Sequence, residues 1–139
     1  MRLHGVGVDI VDVARVTRLL ARGGSFARRW FSDDEAARCR ASEAPALAFA
    51  RVLAAKEAAW KSLRIGWDAA VPWRCVLVGE QGVVWFEGEV AEVAARAGVA
   101  RVTVTTSSVA EVAIAQAMAF RDEPLGARMR GVGAGLRTP

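Results

Sequence analysis

Apolar residues recur at helical spacing between Ala46 and Leu63, in a run that contains neither Gly nor Pro. Ala and Leu are frequent in this run, and both favour helix because they lose little side-chain freedom there. The pattern predicts one long helix with a single apolar stripe, which consists of Phe49, Val52, Leu53, Trp60 and Leu63.

Charged residues interrupt the apolar character of this helix. Lys56 lies inside the stripe, while Glu57 and Lys61 lie one turn apart on an adjacent face. In one interpretation, Lys56 buries only its aliphatic stem, and Glu57 and Lys61 form an ordinary surface pair. In the other, the three side chains belong to a functional site.

The first residues alternate as in a β-strand from Leu3 to Val11. Gly5 and Gly7 would let another part of the backbone approach this strand closely. Asp9 projects from the face opposite the plainly apolar one, which carries Val6, Val8 and Ile10. Asp12 then suits the N-cap of a helix whose buried side holds Val13, Val16, Leu19 and Leu20.

The remaining elements complete an α+β chain. A capping box over 32–35 starts a further short helix, so Glu35 is expected to be a capping residue rather than a catalyst. Alternation and turn residues predict strands over 71–78, 83–86, 101–106 and 112–120, with turns at 79–82 and 107–110 and a helix over 89–97. Because helices come early and antiparallel strands come late, we expect an α+β fold in one domain, residues 1–123, followed by a disordered Gly/Arg-rich tail, 124–139.

The composition fits a globular protein with acidic partners. Its 139 residues are 53% hydrophobic and 24% charged, with a net charge of +4. This charge favours nucleic acid, phosphorylated metabolites or an acidic protein, and it does not choose among them. Cys39 and Cys75 form no CxxC or Cys/His cluster, so neither a zinc site nor a disulfide scaffold is indicated. Two free thiols, with no signal-peptide or membrane-spanning run, predict a cytoplasmic protein.

Two carboxylates and two lysines are the candidates for metal binding, catalysis and substrate binding. Asp9 at a strand exit and Glu57 on a helix match the hard oxygen ligands that magnesium takes alongside substrate phosphates. Lys61, one turn from Glu57, is placed to stabilise charge on a transferring phosphoryl group. Lys56 is a candidate for substrate binding, as the partner of a phosphate or an acid. Spacing alone leaves open whether Asp9 meets Glu57.

Other chemistries are disfavoured by the residues present. His4 is the sole histidine and no nucleophile motif accompanies it, which argues against a Ser–His–Asp triad. The sequence has neither a Walker loop nor zinc-ligand spacing. A structural oligomer without a ligand stays open as an alternative, and it requires that Asp9 and Glu57 lie far apart.

Two segments resemble the two signature motifs of one enzyme family. Residues 5–15, Gly-Val-Gly-Val-Asp-Ile-Val-Asp-Val-Ala-Arg, resemble the opening motif of holo-acyl-carrier-protein synthases, the small 4′-phosphopantetheinyl transferases. Residues 54–61, Ala-Ala-Lys-Glu-Ala-Ala-Trp-Lys, resemble that family's second motif. Phe26 and Glu35 are also similar to family positions, so the resemblance covers residues 3–120.

This resemblance implies magnesium-dependent transfer of 4′-phosphopantetheine from coenzyme A to a serine of an acidic acyl carrier protein, of fatty acid or polyketide type. It implies that Asp9 and Glu57 bind Mg²⁺ with the diphosphate, and that Glu57 and Lys61 are catalytic. Arg15 would bind acids of the carrier protein. The family's α+β fold forms trimers with active sites between subunits, so a homotrimer is implied, with neither nucleic acid nor a membrane as partner.

The chain departs from the family pattern at positions that would hold coenzyme A. Val52 stands where the family has an arginine, and Thr106 where it has a histidine. Arg51 lies one place upstream, and because one residue turns a helix by about 100°, we expect that it does not simply replace the missing arginine. These changes motivate an alternative function. In it, the chain is a carrier-protein-binding member of the same fold that has lost transfer or acts on a tethered acyl chain.

Overall fold

The computed structural model describes residues 1–66 and 70–122, and the predicted tail, 124–139, lies outside them. The helices are α1 (Val13–Ala21), α2 (Ser25–Trp30), α3 (Asp33–Ala41), α4 (Pro45–Ser62) and α5 (Gly88–Arg96). The strands are β1 (Arg2–Asp12), β2 (Val76–Val78), β3 (Val83–Phe86), β4 (Arg101–Val109) and β5 (Val112–Arg121), with a 3-10 turn at Trp73–Cys75 before β2. Among the helices of these residues, none has the length and apolar character needed to cross a membrane.

The strands form one antiparallel sheet in the order β1-β5-β4-β3-β2, so the first strand pairs with the last. Helix α4 lies across one face of this sheet and contacts β1, β4 and β5. Small buried side chains meet on the two facing surfaces: Ala54, Ala55, Ala58 and Ala59 on α4, and Ala113, Ala115, Ala117 and Ala119 on β5. These alanines let the helix lie close to the sheet. The predicted α+β class is confirmed.

Gly5 and Gly7 let β1 contact α4 with no side chain between the two backbones. A Cβ at Gly7 would lie 1.9 Å from the Ala58 carbonyl oxygen, and one at Gly5 would lie 2.3 Å from that of Ser62. Because both separations are far shorter than van der Waals contact, a larger residue fits only if the helix moves. The close approach predicted from these glycines is confirmed, and it brings Asp9 beside the same helix.

Two predicted boundaries are wrong. The first part of the predicted strand 71–78 contains a 3-10 turn, where the chain bends to bury the Trp73 ring between Trp30 and Trp60. The turn between β4 and β5 is also tighter than predicted, because β4 continues to Val109 and Ala110 takes a left-handed φ of 53°.

The plainly apolar face of β1 points away from α4. Val6, Val8 and Ile10 are 47%, 51% and 64% exposed, and Met118, which pairs with Val6, is 38% exposed. The helix instead covers the face that carries Gly7, because only small residues allow its backbone to approach. The described residues therefore leave an apolar surface that none of them covers, which we call the outer face and define by Val6, Val8, Ile10 and Met118.

Replacing Gly7 by Ala is expected to lower the free energy of unfolding by about 3 kcal/mol, as overpacking of a tight contact does. The added Cβ meets the Ala58 carbonyl, which cannot move without the helix backbone. Gly24→Ala is the control, since its φ is −73° and its Cβ would meet only the end of the flexible Arg28 side chain. Urea denaturation measures both variants, and equal stability would contradict the close contact between β1 and α4.

Candidate active site

Asp9, Glu57 and Lys61 lie together where β1 passes α4. The Lys61 ammonium is 2.6 Å from Asp9 Oδ1 and donates to the Val8 carbonyl oxygen at 3.1 Å. Glu57, one turn before Lys61, is close enough to Asp9 for the two carboxyl groups to interact. The structure thus answers what spacing left open, because Asp9 and Glu57 do meet. The alternative of a structural oligomer loses the separation that it requires.

The structure leaves Asp9 without a full set of hydrogen-bond donors and places two acids close enough to repel each other. Asp9 Oδ2 is buried and accepts no hydrogen bond from the part of the chain that the structure describes. Burial, followed by hydrogen bonding and charge repulsion from Asp9, raises the pKa of Glu57 from 4.5 to about 8, while Lys61 and Arg15 act in the opposite direction. A proton on Glu57 would supply the donor that Asp9 Oδ2 lacks when both acids are ionised. A cation between the acids would relieve the same repulsion.

Arg15 lies at the edge of this acidic pair. It is exposed on α1, and its charge acts on the pKa of Glu57. As predicted, Asp12 caps α1, and its Oδ1 accepts from the Ala14 N–H at 3.0 Å. This cap sets the direction in which the helix leaves β1, and so it places Arg15 near the acids.

Lys56, which the sequence suggested as a residue that binds substrate, is buried in the core of the structure. Its side chain is 0% exposed, and its ammonium lies 2.7 Å from Glu35 Oε2. The same ammonium donates to the carbonyl oxygens of Trp73, at 2.9 Å, and Val76. Because an ammonium has three N–H donors, none is left for a phosphate. The interpretation that only the stem is buried is wrong, since the charged end is buried with it.

Glu35 has a second role that the sequence pattern did not reveal. As predicted, it completes the capping box, and its Oε2 accepts from the Ser32 N–H at 2.9 Å. Its Oε1 accepts from the Val78 N–H at 2.9 Å, so Glu35 joins α3 to β2 and, through Lys56, to α4. Burial lowers the pKa of Lys56, and the Glu35 charge opposes that shift. Removing one partner of such a buried pair costs about 3–5 kcal/mol.

A cavity of about 550 Å³ lies between α4, β4 and the turn from β2 to β3. It is lined by Val52 and Thr106, the two positions at which the resemblance led us to expect an arginine and a histidine. Arg51 lines it too, so its offset along α4 does not remove it from this space. Thr106 and Asp9 both pair with Ala115, and they therefore occupy one row of the sheet. Two strand spacings separate them, or about 10 Å.

Without added metal, the free energy of unfolding is expected to fall as pH rises from 4.5 to about 8. Over this range the folded state keeps a proton on Glu57 that the unfolded state has lost, so rising pH favours unfolding. Glu57→Gln should flatten this slope because an amide does not titrate. Glu43→Gln, at an exposed position before α4, is the control. Denaturation in a chelator at several pH values measures the slopes, and an unchanged slope in Glu57→Gln would contradict the raised pKa.

Comparisons with known proteins match one family over most of the chain. A sequence model of the 4′-phosphopantetheinyl transferase superfamily matches residues 5–109. The holo-[acyl-carrier-protein] synthase of Anaeromyxobacter sp. (strain K) is 40% identical over 119 residues, which cover 80% of this chain and 91% of that protein.

Solved structures show the same fold. The crystal structure of the Neisseria meningitidis holo-[acyl-carrier-protein] synthase is 26% identical with a TM-score of 0.75, covering 86% of this chain and 99% of that one. The Helicobacter pylori synthase in complex with coenzyme A has a TM-score of 0.71 at 22% identity, covering 83% and 99% of the two chains. The chain therefore belongs to the holo-[acyl-carrier-protein] synthase family, within the 4′-phosphopantetheinyl transferase superfamily, as a divergent member.

Proposed function

We propose that this protein transfers 4′-phosphopantetheine from coenzyme A to a serine of an apo acyl carrier protein, with magnesium. The observation that carries the proposal is the convergence of Asp9, Glu57 and Lys61 in a chain of this family. The relatives are named holo-[acyl-carrier-protein] synthases, and one was crystallised with coenzyme A. The cytoplasmic location and the fatty acid or polyketide pathway stay predictions.

Asp9 and Glu57 fit a magnesium ion. Asp9 Oδ2 is a buried oxygen without a donor, beside a second acid whose pKa is raised. Within 1–66 and 70–122 no group of three or more His, Cys, Asp or Glu side chains could hold a metal ion, and the proposed site uses these two carboxylates. Mg²⁺ takes one or two carboxylates in such sites and completes its shell with substrate phosphates and water. When bound, the ion would neutralise charge on the diphosphate of coenzyme A.

Glu57 and Lys61 are the proposed catalytic residues. The serine oxygen forms a bond to the phosphorus that carries pantetheine, and the bond from that phosphorus to the bridging oxygen breaks, which releases adenosine 3′,5′-bisphosphate. Glu57 takes the serine proton, directly or through water, as a general base. Lys61 donates to Asp9 and Val8, and its third N–H has no acceptor among the described residues, so it can stabilise the transferring phosphoryl group.

A basic surface on α1 and α2 suits an acidic carrier protein. We define it by its five exposed arginines, Arg15, Arg18, Arg22, Arg28 and Arg29. Residues 13–32 contain no acid, and none of the five forms an ion pair with another described residue. Long-range attraction would orient the carrier so that its serine approaches the acidic pair beside Arg15.

The proposed assembly is a homotrimer. The proposal of three subunits rests on the family resemblance. The exposed outer face of this chain supports an assembly, because such a face can form a subunit interface. Contiguous exposed apolar surface commonly marks a protein–protein interface. Because β1 carries both the outer face and Asp9, such an interface would lie close to the site.

The alternative is a family member that binds a carrier protein without loading it. Val52 and Thr106, in place of the arginine and histidine of the family, are the observation that favours it. It predicts carrier binding without coenzyme A binding.

Intact-mass spectrometry of apo carrier proteins incubated with coenzyme A, Mg²⁺ and the protein tests the proposed reaction. We expect a phosphopantetheine mass shift whose rate falls by about 100-fold or more in Asp9→Ala and Glu57→Ala, because each removes a charge from the metal site. Asp33→Ala, at a 94% exposed acid, is the control. Full activity in both site variants would exclude the assigned site. Carrier binding without any loading would support the alternative.

Arg15→Glu is expected to raise the KM for the carrier protein roughly tenfold, because it reverses one charge in the basic surface. The KM for coenzyme A should stay unchanged. Arg96→Glu, at an exposed position on α5, is matched in charge and should have no effect on either KM. Steady-state loading rates provide both constants, and equal changes for the two substrates in Arg15→Glu would reject the docking role.

Val6→Glu is expected to convert an assembly of three 14.8 kDa chains to single chains. A charge on the outer face would be buried without a partner in the assembly, whereas Ala37→Glu places a charge at an exposed position on α3 and should change nothing. Light scattering after gel filtration measures the mass. A single-chain mass for the unaltered protein would contradict the proposed assembly.

A further inference from the structure

The Lys56 ammonium joins α4 to three other parts of the fold. It lies 2.7 Å from Glu35 Oε2 on α3, and it donates to the carbonyl oxygens of Trp73 in the 3-10 turn, at 2.9 Å, and of Val76 in β2. Glu35 accepts in turn from two backbone N–H groups, so its own position is fixed. Because all three ammonium donors are used, the end of the Lys56 side chain has one place in the core.

The surface between α4 and the sheet holds the helix less closely in rotation. Buried alanines line it on both sides, on α4 and on β5. Packed elements lock together when the ridges of one fit the grooves of the other, and alanine side chains form only shallow ridges. Hydrogen bonds, in contrast, weaken steeply when donor and acceptor are misaligned. The bonds of Lys56 therefore define the rotation of α4 about its axis more closely than the alanines do.

The position of Glu57 depends on this rotation. Its side chain leaves the helix about 100° from that of Lys56, and a long side chain ends about 6 Å from the helix axis. A rotation of about 10° would therefore displace the Glu57 carboxylate by about 1 Å. A displacement of that size at a reacting group costs about 100-fold in rate. The approach of Glu57 to Asp9 thus requires that α4 be held within a narrow range of rotation.

Stability does not by itself account for a charged pair in this place. The Lys56 and Glu35 side chains are 0% and 2% exposed, so both charges are removed from water. Apolar side chains of similar volume are often as stable as a buried ion pair, or more so. In some proteins, buried polar groups instead select one arrangement among several of similar stability. A requirement for one orientation of α4 would explain why this pair occupies the core.

We propose that Lys56 and Glu35 are positioning residues that fix the rotation of α4 and thereby hold Glu57 against Asp9, an inference that rests on the proposed function. In this role both residues act through Glu57. Disrupting the pair should therefore slow the transfer step. It should not affect docking of the carrier protein, because the basic surface lies on α1 and α2 and is left intact.

The test is a double variant, Lys56→Met with Glu35→Gln, which removes both charges and leaves neither one buried alone. Its urea midpoint should stay close to that of the unaltered protein, because the uncharged pair fills a similar volume. Its kcat for carrier loading should fall by about tenfold or more, because Glu57 is no longer held in place. The KM for the carrier protein should be unchanged. Steady-state loading rates and urea denaturation provide these quantities.

Val90→Ala is the control for a loss of stability without a loss of orientation. Val90 is 1% exposed on α5, so the substitution removes buried apolar contacts and should lower the urea midpoint. Its kcat should equal that of the unaltered protein. A double variant that keeps its kcat, whether or not its stability falls as in Val90→Ala, would overturn the inference.

Glu35→Gln alone decides if the double variant does not fold. The Gln side chain has a single acceptor oxygen, so it cannot accept from both Lys56 and the Val78 N–H as Glu35 does. We expect a lower kcat with an unchanged KM for the carrier protein. A kcat equal to that of the unaltered protein would overturn the inference.

Crystal structures of the unaltered protein and of the double variant separate this inference from the proposed reaction. We expect the Glu57 carboxylate to move by about 1 Å or more relative to Asp9 in the variant, as a rotation of about 10° would produce. Identical positions of the two acids would overturn the positioning role even if loading is slowed. If the unaltered protein loads no carrier, the proposed reaction fails, and the displacement of Glu57 still decides whether the pair orients the helix.

Discussion

The backbone contact between β1 and α4 positions the candidate active site. Gly7 places no Cβ between the strand and the Ala58 carbonyl, and small side chains keep the rest of this layer thin. Asp9 follows two residues later on the same face of β1, where it reaches Lys61 at 2.6 Å and interacts with Glu57. A larger residue at Gly7 would push the strand away and separate the two acids. The raised pKa of Glu57 therefore follows from a packing constraint.

A second constraint sets the rotation of α4 about its own axis. Lys56 and Glu57 are adjacent, so their side chains leave the helix about 100° apart. The first is paired with Glu35 in the core, and the second faces Asp9. Turning the helix to expose Lys56 would also carry Glu57 away from Asp9. The buried ion pair of Lys56 and Glu35 takes no part in the proposed chemistry. It helps to orient Glu57, which does take part, towards Asp9.

Local features of the fold could be predicted because they depend on residues close in sequence, such as the cap at Asp12 and the capping box that ends at Glu35. The partner of Lys56 could not, since capping already accounted for Glu35 and its approach to α4 depends on the tertiary fold. Alternation along β1 separated its two faces but did not show which face a helix covers. Gly5 and Gly7 determine that α4 covers their face of β1, so the apolar face of the strand is left exposed. The cavity that Arg51 lines was not predictable either, because its walls come from distant segments.

The assignment of Asp9 and Glu57 as a shared magnesium and diphosphate site is tested most directly by a crystal structure with coenzyme A and Mg²⁺. Mn²⁺, which gives an anomalous signal, can replace Mg²⁺ to identify the ion. We predict one ion bound by carboxylate oxygens of both Asp9 and Glu57 and by the diphosphate, with the Lys61 ammonium directed at a phosphate oxygen. A diphosphate bound away from this pair, or an ion that neither acid contacts, would contradict the assignment.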